Sequence, residues 1–197
     1  MIFNSLEYIL FLPLVFIVFY LFRHKFRVFI LLAASYYFYI SWNPVFIILI
    51  LLSTFIDYGA GLSLERTRSK STRRLILGIS ICANLGFLFF FKYFNFALEN
   101  VNELLLAVKG SYQPIEAWDI ILPVGISFYT FQTMSYTIDV YNGKTKAEKN
   151  LPYFALYVCF FPQLVAGPIE RYNNLMPQFK EKAQLVIQNI SHGGRLI

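Results

Sequence analysis

"FFPQLVAGPIERYNN", Phe160 to Asn174, ends an apolar run with two prolines, a glycine, a glutamine and adjacent charges of opposite sign. The apolar segment leading into it starts at Leu151 and reaches Pro162 after eleven residues, about 16 Å of helix at 1.5 Å per residue. A hydrocarbon core needs about 30 Å. The residues that follow, Arg171, Lys180 and Lys182 against Glu170 and Glu181, match the charged stretch that precedes the segment. A segment too short to cross, with like flanks, reads as re-entrant over 151–178. Irregular backbone at that depth is tolerated only where protein or a water-filled cavity surrounds it.

The rest of the chain supplies the membrane. Of 197 residues, 57% are hydrophobic and 14% charged, with a mean hydropathy of +0.55. Soluble domains sit near 45–50% apolar and about 25% charged. Spans are expected over Leu6–Phe22, Val28–Trp42, Val45–Leu64, Leu75–Phe96 and Ile120–Tyr141. The fold class is therefore all-α and integral to a membrane: a polytopic helical bundle of about five full spans plus the re-entrant segment. The N-terminal "MIFNSLEYIL" lacks the basic start of a cleaved signal peptide.

Charge orients the spans. The loops after spans one, three and five, "RHKFR", "ERTRSKSTRR" (65–74) and the 142–150 loop with "NGKTKAEKN", are all net basic. The 98–119 stretch carries Glu99, Glu103, Glu116 and Asp119 against Lys109. The positive-inside rule makes the basic loops cytoplasmic, 98–119 extracytoplasmic and the N-terminus extracytoplasmic. The net charge of +6 thus reads as topology, and nucleic acid is not an expected partner.

Several polar residues fall inside apolar segments. Asp57 in "STFIDYGAG" either lines a cavity or pairs in the interior, or else snorkels beside Gly59 and Gly61. Lys92 in "FLFFFKYFNF" reads as snorkelling among aromatics. Ser127, Thr130, Thr133 or Met134, and Thr137 recur on one face of the fifth span, a pattern that more often packs helices than catalyses. His24 and His192 read as interfacial, and Cys82 and Cys159 as small buried residues. No metal cluster, P-loop or nucleotide fingerprint is present, and no catalytic constellation.

"LPVGISFYTFQTMSYTIDVYNGK" followed by "FFPQLVAGPIERYNNLMPQ", with "SYYFYISWNPVF" and "FFFKYFNF" before them, resembles the membrane-bound O-acyltransferase family over nearly the whole chain. The closer likeness is to its bacterial branch acting in alginate O-acetylation. The resemblance implies the N-terminal part, 1–197, of a single larger membrane domain built as a ring of helices around a tunnel. It implies an enzyme passing an acyl group, commonly acetyl, from a cytoplasmic donor such as acetyl-CoA to hydroxyls of an extracytoplasmic polysaccharide or glycan. No cofactor is expected to be bound, acetyl-CoA or another acyl donor being a co-substrate. The implied setting is the bacterial inner membrane, with periplasmic or surface acetylation partners.

The family's hallmark histidine is expected in a later segment, matched by neither His24 nor His192, so these residues alone should be inactive. In this reading Pro162, Gln163, Gly167 and Pro168, with Ser127 and Thr130, line the tunnel. Arg171 faces the donor's entrance, or pairs locally with Glu170 or a lipid phosphate. Two other functions compete: a transporter, since broken helices also build carrier sites, and a non-catalytic scaffold of an exopolysaccharide complex.

Overall fold

The computed structural model describes residues 5–109, 115–118, 120–164, 167 and 170–182. Its elements are α1 (Leu6–Leu21), α2 (His24–Ile40), a 3₁₀ turn (Pro44–Phe46), α3 (Ile47–Arg66), α4 (Lys70–Lys109), α5 (Ile126–Tyr141), α6 (Leu151–Cys159), α7 (Phe161–Leu164) and α8 (Tyr172–Lys180). Among the described residues there is no strand. Two stretches, Pro44–Arg66 and Lys70–Val108, are long and apolar enough to cross a membrane, and Leu6–Leu21 and Leu151–Leu164 are shorter apolar helices. The chain divides into two compact units, Met1–Thr54 with Glu148–Ile197, and Phe55–Ala147.

In the first unit α1 starts where Ser5 caps it, its hydroxyl accepting from the Tyr8 N–H at 3.2 Å. Such a cap satisfies one of the orphan donors of the first turn. An aromatic core joins α1, α2 and α7. Phe161 sits 5.3 Å from Phe11, 5.8 Å from Phe38 and 6.5 Å from Tyr8, measured between ring centroids. Most of these pairs are edge-on or tilted, the geometry that aromatic quadrupoles favour.

The break after α6 has a local cause. Pro162 has no N–H to return to Val158, and in a continuous helix its ring would clash with that carbonyl. The helix therefore stops at Cys159, two residues before the expected Phe161, and Phe160 leaves the helical region at φ −55°, ψ 108°. Pro162 then falls in the first turn of α7, where no N–H is needed. The N–H of Phe161, freed by the break, donates to the fully buried Ser35 hydroxyl at 3.2 Å. α6 itself, with Pro152 in its first turn, is buried continuously from Phe154 to Cys159.

In the second unit α4 runs for 40 residues, about 60 Å and twice the hydrocarbon thickness. This differs from the sequence reading, which ended the fourth span near Phe96 and placed loops at 65–74 and 98–119. "LENVNELLLAVK" is polar, but Leu, Glu, Ala and Lys are good helix formers, so the helix continues to Lys109. The first of those loops shrinks to 67–69 between α3 and α4. α5 also departs from expectation, beginning at Ile126 rather than Ile120. Pro123 precedes it, and Gly125 caps it at φ +76°, a left-handed conformation suited to glycine.

An extended segment, 115–118, lies along α4. Asn102 donates its amide to the Ile115 carbonyl at 2.8 Å and accepts from the Ile115 N–H at 3.0 Å. Asn95 does the same for Trp118, at 2.7 and 3.2 Å. Trp118 packs on Phe94, with 5.0 Å between ring centroids.

Candidate functional site: a buried carboxylate and the broken segment

Asp57 is fully buried and is met from two other helices. Its Oδ1 accepts from Ser80 on α4 and from Thr137 on α5 at 3.0 Å, and its Oδ2 accepts from Asn84 on α4 at 2.8 Å. Thr133 also lies beside the carboxyl group. A buried carboxyl group is tolerated only when its lone pairs are met in this way. The polar face of α5 thus divides. Thr133 and Thr137 are drawn into the Asp57 node, Thr130 is buried with its carbonyl accepting from Thr133 at 3.2 Å, and Ser127 is half-buried. Ser80 and Asn84 were missed by sequence reasoning; the signal was their four-residue spacing within an apolar helix, which puts both on one face.

Two more contacts hold the same helices. Tyr136 lies against Gly61 so closely that a Cβ there would come within 2.7 Å of the phenol oxygen. Arg73, in the first turn of α4, donates to the α3 carbonyl of Leu64 and to the Tyr141 carbonyl of α5 at 2.7 Å. Its guanidinium also reaches Thr67 at 3.4 Å and Val140 at 3.5 Å. A cation at helix C-termini meets orphan carbonyls and the negative dipole end together. Arg73 therefore gathers the C-terminal ends of α3 and α5 at the start of α4. Glu65 takes the Ala147 N–H at 2.9 Å at that same end.

In the first unit, Gln163 is buried, and its carbonyl accepts from the Gly167 N–H at 3.1 Å. A side chain at Gly167 would meet the Gln163 Cα at 2.8 Å, so glycine is required by close approach. Pro162 is exposed, at the edge of an open apolar pocket of about 290 Å³ that includes Phe16, Phe160 and Phe179 with Gln178. Pro168 and His192 lie outside the described residues. Arg171 is exposed at the start of α8, and the Glu170 carboxylate accepts from Asn174 at 3.2 Å. The structure does not bring Arg171 and Glu170 together as a pair.

A charged contact in this unit, between described residues, was missed by sequence reasoning. Glu148, buried in the "KAEKN" loop, accepts from Tyr172 at 2.6 Å, from the Asn150 N–H at 2.9 Å and from Lys180 at 2.5 Å. Burial works to raise its carboxyl, but these donors outweigh it and hold the group below the ordinary glutamate range. α8 is thereby tied at both ends to the start of α6. Among the described residues no group of His, Cys, Asp and Glu could hold a metal ion.

No family model matches the chain, and no solved structure does. Curated relatives do. A Pseudomonas aeruginosa protein named "Probable alginate O-acetylase AlgI" is 41% identical over 191 residues, covering 94% of this chain and 36% of that protein. The Azotobacter vinelandii protein of the same name is 39% identical over 92% of this chain and 36% of its own length. A Helicobacter pylori "Peptidoglycan O-acetyltransferase" is 34% identical over 77% of this chain and 32% of its own length. The chain thus spans about a third of the length of the curated relatives it matches, and its apolar helices mark it as a membrane protein. Over most of its own length the chain is similar to part of proteins named for O-acetyl transfer, the alginate O-acetylases among them, as the sequence resemblance implies.

Proposed function

We propose that this chain forms part of an O-acyltransferase moving an acetyl group from a cytoplasmic donor such as acetyl-CoA to hydroxyls of an extracytoplasmic polysaccharide or glycan, alginate being one candidate. The observation that carries this reading is the 41% identity maintained across 94% of the chain. In the reaction an acceptor hydroxyl attacks the thioester carbonyl, a C–O bond forms, the C–S bond breaks, and the hydroxyl's proton is balanced by one taken up at the released thiolate. These residues would contribute wall and vestibule, through Pro162, Gln163, Gly167 and the Ser127–Thr130 face, with Arg171 at the donor's entrance. Extracytoplasmic partner proteins would complete delivery to the polymer.

The topology belongs to the same proposal: five spans and a re-entrant segment in the bacterial inner membrane, with the N-terminus outside the cytoplasm. Arg73 supports it within the second unit, because the C-terminal ends of α3 and α5 share one end and the far end of α4 lies opposite. Cysteines at Glu103 and Lys146 should label from opposite sides of the membrane, and labelling from one side would sink this topology. Function is tested by deleting the intact gene and measuring O-acetyl groups on the cell's exopolymers. Acetylation should disappear and return with the intact gene; acetylation untouched by the deletion rejects the assignment.

A further inference from the structure

Beside the α1–α2 turn lies a small enclosed cavity of about 30 Å³. Its polar walls are His24 and Arg27 from α2, Gln178 from α8, and Glu181 just beyond it, with Phe19 and Leu156 among the apolar ones. The Nε2 of His24 lies 3.0 Å from the Lys180 carbonyl. A carbonyl only accepts, so Nε2 carries the hydrogen, and in the neutral ring Nδ1 is left as an acceptor. That Nδ1 is buried and, among the described residues, has no hydrogen-bond partner.

We propose that this cavity is a water site, and that His24 and its water together latch the α1–α2 turn to the last turn of α8. A buried acceptor without a partner costs free energy comparable to a lost hydrogen bond, and a water in a polar cavity of this size removes the cost. Such a water donates one hydrogen to Nδ1. The N–H groups of Arg27 and Gln178 can give to its oxygen, and the Glu181 carboxylate can take its second hydrogen. One cationic and one anionic wall balance each other, which favours a neutral ligand over an ion. The direct bond from Nε2 meets one of the carbonyls that every helix leaves unpaired at its C-terminus. The latch fastens α8 at Lys180, the residue whose ammonium also holds Glu148.

The test is amide exchange of α8 in the full-length protein in nanodiscs, with two variants. His24→Leu removes donor and acceptor, and exchange at 178–181 should accelerate about tenfold, the equivalent of one net hydrogen bond. His24→Gln can still donate to Lys180 and accept from the water, and its exchange should stay close to the parent's. Unchanged exchange in His24→Leu, or equal loosening by both variants, overturns the latch. A map of the full-length protein showing ordered density within hydrogen-bond distance of Nδ1 supports the water, and side-chain atoms filling the cavity overturn it.

Discussion

Thr137 on α5 donates a hydrogen bond of 3.0 Å to Asp57 on α3, two buried residues eighty positions apart. With Ser80 and Asn84 on α4, the carboxylate becomes the point at which three helices share one polar contact.

Replacing Asp57 by Leu strands several buried donors at once. We expect a loss of about 3 kcal/mol or more, from several neutral donors left unpaired at about 1–3 kcal/mol each, read as thermal unfolding of the intact protein in detergent. Asp57→Asn puts an amide against the Asn84 amide and should cost about 1–3 kcal/mol. Exchanging the pair, Asp57→Asn with Asn84→Asp, should recover much of that loss; no recovery would show that the node is not held by this pairing.

Gly61→Ala should destabilise by about 1–3 kcal/mol, because the new methyl overlaps the Tyr136 phenol in a fully buried position. Tyr136→Phe removes the oxygen at 2.7 Å and should soften the effect, though a ring carbon remains at 3.0 Å. A double-mutant cycle measures the coupling, and strictly additive losses would refute the contact.

Arg73→Lys keeps the charge but loses the fork that reaches two helix ends. We expect a loss of about 1–2 kcal/mol, with Arg73→Leu costing more because the C-terminal carbonyls of α3 and α5 lose their cation as well. Equal unfolding temperatures for Lys, Leu and the parent would rule this out.

Glu148 sets a pH dependence whose sign follows from its environment. Its carboxyl is lower in the folded protein than the ordinary 4.5, so its contribution is complete above that value and is lost as pH falls below it. Glu148→Gln should loosen α8 by about 1–2 kcal/mol at pH 7, a modest figure because Lys180 is half exposed. The variant and the parent should converge in acid, and a constant difference down to pH 3 would contradict the assignment.

Sequence alone located α1, α2 and α3 to within a few residues, because apolar runs ended by Arg23, by Asn43–Pro44 and by a basic stretch leave little choice. It misplaced the start of α5, where hydrophobicity from Ile120 to Val124 hid the conformational instruction given by Pro123 and Gly125. It stopped α4 too early by equating polarity with loop. The Asp57 node was half visible: the carboxylate stood out, whereas Ser80 and Asn84 are small amid strong hydrophobes and their role depends on α3 packing beside them. Glu148 was hidden for the opposite reason. It counted as one charge of a basic loop, and its partner Lys180 lies thirty-two positions away, a distance that only the fold closes.

The two asparagines of α4 carry a different lesson. Asn95 and Asn102 are two helical turns apart, about 10.5 Å, and Ile115 and Trp118 span about the same distance as extended chain. Each amide grips the main-chain N–H and C=O of one residue and ignores its side chain. The match is a ruler with two notches that reads the number of residues from 115 to 118 and not their side chains: one residue gained or lost there would put the second notch out of step.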